Sequence, residues 1–501
     1  MTELTKRDVL RGGTAMAAFS TFFGACAPSR ISQASLSSNE FMDGVRIAEL
    51  ISNGEITALE ATEQAISRAE AVNSALNAIA HEGFDDARER ATSSPEGAMG
   101  GVPTFIKDLA DWQGAPTLFG SRAFKGNQAR EDGPLSAVWR ETLGVVSLGK
   151  STTPEMGLIS STEPLVTGPT RNPWNTDHIP GGSSGGAAAL TAARVVPFAH
   201  ASDGGGSIRI PAACCGLFGL KPSNRIAPIG RTNQEGSPVE ISVDLAVSNT
   251  VRDSAAIFAA TARSEDAREP VTGPTSRRLR IGYAPEPLSA GAELHLDTRR
   301  ELDLTADLCR ALGHEVKDVV MPLDGDTFSD RFLLYWAAGA AQFAQEASQF
   351  AGKPPGPDIL EPWTLLLAQN FLARSGELDD AVAYLVRSQA AYHNMFDDLG
   401  VDVILTPTVS SPAPLIGTQN PAAEDMDAVM ANVLGFAAFT SPMNVSGAAS
   451  MSVPMGMSSD GLPIGSMFSG RKGDDRMLLG LAYELEDAKP WIDRLPQVVA
   501  T

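Results

Sequence analysis

An α/β fold built as one large domain is what this sequence predicts, and three observations carry that prediction. Short apolar runs rich in Val, Ile and Leu alternate with helical stretches along nearly the whole chain. The 501 residues include 43% hydrophobic and 20% charged side chains, a globular composition with enough apolar surface for one extended core. No internal repeat interrupts the pattern. The second half returns strands of the same kind as the first, so residues 36–498 read as one domain with a helical excursion. The formal net charge of −21 excludes nucleic acid and anionic lipid as partners, because phosphate binding takes clustered Lys and Arg.

The elements follow in order. Residues 1–27 read as an export segment: "TKRDVLRGG" supplies a positive start and "TAMAAFSTFFGACA" an apolar run too short for a membrane span. "TKRDVL" resembles a twin-arginine signal with Lys6 in place of the first arginine. "FGAC" resembles a lipoprotein box that would place a lipid on Cys26, although Phe23 stands where Leu is usual; the alternative is a plain hydrophobic tail. The expected location is periplasmic. Without that segment Cys214, Cys215 and Cys309 remain, an odd set with two neighbours that pair poorly, so no disulfide framework is expected.

"NEFMDGVRIAELISNGEI" spaces its apolar residues for a helix that stops at Gly54, and Thr57 with Glu60 forms a capping box opening the next one. "GVPTFI" reads as a strand delivering Lys107, "PLSAVWRETLG" as a helix closing on Gly144, and "VVSLGK" as the next strand. Residues 264–278 are a polar, Pro-containing connection. Beyond them come the strand "LRIGYA", a helix through Leu312, the strand "HEVKDVVMP", helical residues 330–399, the strand "VDVILTP" and a final core segment over residues 447–468.

Chemistry concentrates in residues 181–223. "GGSSGG" leads into an alanine-rich helix and the strand "VVPFAHA", and that reversal brings Ser207, 24 positions beyond Ser183, back beside it. Gly204, Gly205 and Gly206 carry no Cβ, so their N–H groups can point together at a developing oxyanion. A serine needs a base, usually His. None of the six histidines stands in a nucleophile-elbow context, and His178 and His200 read as structural. Lys107, brought by a buried strand into a dry pocket, is pushed toward the neutral form that accepts a proton. Asp203 and Arg209 read as supports of the nucleophile loop, Ser184 as a hydrogen-bond support, and Cys214 and Cys215 as core thiols.

These segments resemble the amidase signature family of serine hydrolases. "GGSSGG" followed by "GGSIRIPAACCGLFGLKPS" is similar to the family's serine- and glycine-rich core. "GVPTFIKDL", "GKSTTPEMG", "TRNPWN", "DVILTPT" and "FTSPMNVSGAASMSVPMGMSSDGLPIGSMF" follow in the family's order. The resemblance spans roughly residues 40–490, and the wording is most similar to the branch containing 6-aminohexanoate cyclic dimer hydrolases. It implies a mixed central sheet flanked by helices on both faces. It also implies Ser207 as acylated nucleophile, Ser183 after a cis Gly182–Ser183 bond as proton relay, Lys107 as ultimate base, and an oxyanion hole from Gly204, Gly205, Gly206 and the Ser207 N–H. It implies no cofactor or metal, a small-molecule amide substrate and, as the family's common habit, a homodimer. Gly204 stands where the family often has threonine and Ala187 where it often has serine.

Two other readings share these motifs: a subunit of a transfer-RNA-dependent amidotransferase, and a non-catalytic amide-binding protein. The export segment and acidic charge weigh against the first, and the complete set of Lys107, Ser183 and Ser207 against the second. Neither glycine stretch ends in the Lys-Ser/Thr of a phosphate-binding loop. Specificity is expected from the helical excursion, where Phe332, Tyr335, Trp336 and Trp363 either wall a pocket or belong to the core, and from the loop "DWQGAPTLFGS". Small, mostly uncharged carboxamides are the expected substrates, with aryl amides, oligoamides and carbamates as extensions.

Overall fold

The computed structural model describes residues 41–228, 237–288 and 291–500; residues 1–27, read above as an export segment, and with them Cys26, lie outside the described residues. Residues from Glu40 onward form one compact unit. Two helices open it, Gly44–Ser52 and Ala58–Leu76, and the second starts on the expected box: Thr57 Oγ1 accepts from the Glu60 N–H while the Glu60 carboxylate accepts from the Thr57 N–H. Each bond satisfies a helix-end donor that has no partner inside the helix.

Eleven strands follow among the described residues: β1 (Ile79–Glu82), β2 (Pro103–Lys107), β3 (Val146–Ser151), β4 (Phe198–Asp203), β5 (Phe218–Lys221), β6 (Val243–Ser248), β7 (Arg280–Tyr283), β8 (Glu315–Asp318), β9 (Val403–Pro407), β10 (Ser450–Met457) and β11 (Pro463–Ser469). Eight of them form a mixed sheet in the order β4-β6-β5-β10-β11-β9-β7-β8, parallel at β9-β7-β8 and antiparallel elsewhere. Helices cover both faces. A Cβ on Gly465 of β11 would strike Ala213 of the helix Arg209–Cys215, while the neighbouring Ser466 hydroxyl bonds Thr305 of the helix Leu296–Ala311 from the other side. Strands buried on both faces read as continuous apolar runs, which is why "VVSLGK" and "VDVILTP" were legible as strands without alternation.

The structure departs from one central sheet in a way that matters for the site. β1, β3 and β2 form a separate three-stranded sheet in that order. It meets the edge strand β4 through side chains instead of a backbone ladder: Thr104 Oγ1 donates to the Phe198 carbonyl at 3.0 Å, and the Lys107 N–H donates to His200 Nδ1 at 3.2 Å. An open edge is thereby covered and the C-terminal end of β2 is aimed across β4. The helical excursion comprises Gly325–Ala351, Pro362–Arg374 and Leu378–Asp398. The first of these helices carries Phe332 and Trp336 toward the loop that follows β4, where a Cβ on Gly205 or Gly204 would lie against them.

Candidate active site

Lys107 is the last residue of β2, every residue of which is buried, and its side chain reaches into a cluster of hydroxyls. Its Nζ lies 2.7 Å from Ser183 Oγ, 2.9 Å from Ser184 Oγ and 2.9 Å from Ser202 Oγ. Ser184 gives its hydroxyl hydrogen to the Ser202 carbonyl, so it accepts from Lys107. A neutral amine then has one N–H and its lone pair left for Ser183 and Ser202. Burial lowers the Lys107 pKa to about 7, against the opposing pull of the Asp244 and Asp203 carboxylates. A lysine that spends much of its time neutral at physiological pH can take a proton from a hydroxyl beside it.

Ser183 and Ser184 precede the buried helix Gly185–Ala192, and the Gly182–Ser183 peptide is cis. The chain here runs so close to its neighbour that a Cβ on Gly182 would sit 2.4 Å from the Ser161 carbonyl oxygen. Bare backbone is what lets the serine pair approach Lys107. Ser207 lies just after β4 and enters the same cavity as Ser183 and Ser202. Its loop is anchored from beneath by a fully buried pair: Arg209 Nε donates to Asp203 Oδ2 at 2.9 Å and Nη2 to Oδ1 at 3.0 Å. Burial by itself would raise the Asp203 pKa, but the Arg209 guanidinium and the Asn444 amide outweigh it and hold the carboxyl far below the usual range. Asp203 is thus an anion that also accepts from the N–H groups of Gly206 at 2.7 Å and Ile208 at 3.2 Å.

That bond distinguishes Gly206 from the other expected oxyanion donors. Its N–H faces Asp203, whereas the N–H groups of Gly204, Gly205 and Ser207 have no partner among the described residues. Gly206 serves the loop by conformation: its φ is +136°, and a Cβ would lie 2.4 Å from Thr440 Oγ1, which itself donates to the Gly205 carbonyl.

Two contributors, Ser202 and Asn444, escaped the sequence reading, and a third, His200, was read only as structural. Ser202 is the third hydroxyl on Lys107; it shares a face of β4 with His200, a period-of-two signal that "FAHASD" carried. His200 reads correctly as structural, and it acts at the site: Nδ1 accepts from the Lys107 N–H, so Nε2 carries the proton and donates to Asp244 Oδ1 at 2.9 Å. Asn444 ties Asp203 and Arg209 together at 2.8 and 2.6 Å, a pairing across more than 230 residues with no local sequence signal. Among the described residues no histidine lines the cavity. Trp336 and Trp363 do line it, while the loop of residues 111–121 does not, contrary to expectation. Asp108 instead binds that loop back through the N–H groups of Leu118 and Gly120, and Phe119 packs into a cluster with Phe124 and Phe343. Cys214 and Cys215 are buried in helix Arg209–Cys215; burial pushes the Cys214 thiol up to about 12 and raises the Cys215 thiol well above its ordinary value, which keeps both un-ionised.

The comparisons with known proteins show the family of the chain. Residues 60–479 match the Amidase family model. A Mycobacterium leprae protein named as amidase AmiC is 40% identical over 456 residues, covering 90% of this chain and 96% of that protein. A 6-aminohexanoate-cyclic-dimer hydrolase of Pseudomonas sp. is 32% identical over 480 residues, covering 92% and 97%. A solved structure of 6-aminohexanoate cyclic dimer hydrolase superposes with a TM-score of 0.82 at 30% identity, covering 91% of this chain and 99% of that one. The lysine and serines gathered behind a glycine-rich loop therefore sit in a chain that belongs to the amidase signature family, hydrolases of amide carbon–nitrogen bonds.

Proposed function

We propose that the chain hydrolyses small carboxamides through an acyl-enzyme on Ser207, with Ser183 relaying protons and Lys107 as base. The observation that carries this reading is the 2.7 Å contact between a buried Lys107 and Ser183, in a cavity that Ser207 also enters. Ser207 Oγ attacks the amide carbon while its proton passes through Ser183 to neutral Lys107. The carbonyl oxygen gathers negative charge against the N–H groups of Gly204, Gly205 and Ser207. The proton returns from Lys107 through Ser183 to the nitrogen, the C–N bond breaks, and the amine leaves neutral. Water then adds to the ester carbon by the same relay, and the C–O bond to Ser207 breaks to release the acid and restore the serine.

Exposing the protein to a serine-directed fluorophosphonate and weighing the intact chain tests the assignment. One adduct, absent from Ser207→Ala, is expected, together with loss of amide hydrolysis in that variant; amide hydrolysis equal to wild type in Ser207→Ala would overturn it. The basic-then-apolar first 27 residues support a second proposal, export to the periplasm. Fractionated cells should hold the mature chain there, and metabolic labelling with a fatty acid should mark it if Cys26 is lipidated.

A further inference from the structure

Lys107 faces the cavity through two hydroxyls, and the mechanism above uses only one of them. Ser183 and Ser202 both line the chamber that Ser207 enters, whereas Ser184, the third hydroxyl on Nζ, is fully buried and does not line it. Ser202 is fixed by the backbone around it. It stands in β4 opposite Asp244 of β6, its N–H donates to Ser184 Oγ at 3.3 Å, and its carbonyl accepts from the same hydroxyl at 3.3 Å.

The count of donors and acceptors decides what each hydroxyl can do. To take the Ser183 proton, the Lys107 lone pair must point at Ser183 Oγ. The two N–H groups of the neutral amine then go to Ser184 and Ser202, so Ser202 accepts from Lys107 and its own hydrogen is left over. No described residue accepts that hydrogen, and the hydroxyl borders the chamber. The planar nitrogen of an amide has no lone pair to receive it, and the nitrogen of the tetrahedral intermediate has a single one, which Ser183 protonates. The water of the second half-reaction is different. Its oxygen has two lone pairs, one to attack the ester carbon and one to spare, and it enters where the amine has left.

Resting on the mechanism proposed above, we infer that Ser202 holds the hydrolytic water: its O–H donates to the water oxygen while the water donates to Ser183 Oγ. The water's proton passes to Ser183, and the Ser183 proton to neutral Lys107, as the new C–O bond forms. Collapse then breaks the bond to Ser207 Oγ, which regains its proton from Lys107 through Ser183, and the acid is released. Ser202 keeps its hydrogen throughout. It serves deacylation alone, because fixing a nucleophile against its target speeds only the step in which that nucleophile attacks.

Nitrophenyl acetate, mixed rapidly with the full enzyme, separates the two halves. Release of nitrophenolate reads acylation, and decay of the Ser207 acetyl ester, quenched in acid and weighed on the intact chain, reads deacylation. Ser202→Ala should slow the decay about tenfold, the worth of one good hydrogen bond to the reacting water, and leave the release rate within about threefold of wild type. Ser202→Thr keeps the hydroxyl and should deacylate like wild type, while Ser202→Val should match Ser202→Ala. Threonine and valine share a shape, so that pair isolates the hydroxyl even where alanine disturbs the fold. Release and decay falling together in Ser202→Ala and Ser202→Val would reduce the hydroxyl to a support of Lys107 and overturn the inference, as would a decay unchanged in both. Absence of nitrophenolate release and of any Ser207 ester in the wild type would instead bring down the acyl-enzyme mechanism beneath it.

Discussion

In the proposed mechanism Lys107 is the base, and its side chain sets the pH behaviour. Its neutral form is the base, and burial brings its pKa to about 7, so kcat/KM for an amide should climb tenfold per pH unit below about 7 and flatten above it. Asp244 pulls that pKa upward, and replacing it with asparagine should therefore move the acidic limb to lower pH, read directly from a pH–rate profile. Lys107→Ala should cost amide hydrolysis far more than hydrolysis of the matching ester. An alkoxide leaves with less help than an amine does, so the ratio of the two rates separates a lost proton carrier from a damaged fold.

The loop after β4 and the helix it enters show how an element is held around the proposed nucleophile, Ser207. Asp203 and Arg209 are both fully buried, and each is satisfied by the other and by Asn444. Removing one partner leaves an uncompensated buried charge, so Arg209→Met should destabilise the protein by about 3–5 kcal/mol, measured by denaturant unfolding. The helix Pro362–Arg374, which carries Trp363, is held differently. Glu361 at its N-terminal end accepts from the Leu165 N–H at 2.7 Å, and Glu155 accepts from the Glu361 N–H at 2.8 Å. Burial, then the Glu155 carboxylate, raises the Glu361 pKa well above the ordinary range. The unfolded chain therefore releases that proton at lower pH than the folded one, and stability falls as pH rises above the usual glutamate range. Glu361→Gln keeps an acceptor for Leu165 and removes the titration. Its melting temperature should exceed wild type at pH 8 and converge with it at pH 5.

On the scale of the whole molecule, the compact unit begins at Glu40, so a chain lacking residues 1–27 should retain its activity and melting temperature. Much of this unit was legible because local signals repeat: the Thr57 and Glu60 box, the buried strand ending in Lys107, and the positive-φ Gly144 closing the helical stretch that begins at Pro134. The small sheet was not legible as separate, because its strands read like those of the large one. What divides them is a pair of side-chain bonds at Thr104 and His200 where a ladder would otherwise run.

By itself the sequence determined the family, the candidate residues and the order of the elements that deliver them. Hydrophobic period, caps and glycine placement are local, and the spacing of Lys107, Ser183 and Ser207 resembles one family. Only the tertiary structure decided that Ser202 joins Lys107, that the Gly206 N–H turns to Asp203, and that Trp336 and Trp363 wall a chamber while the loop of residues 111–121 does not. These outcomes depend on contacts between residues far apart in the chain. Whether a buried aromatic packs into core or lines a cavity is set by what stands opposite it, and here that is the bare backbone of Gly204 and Gly205.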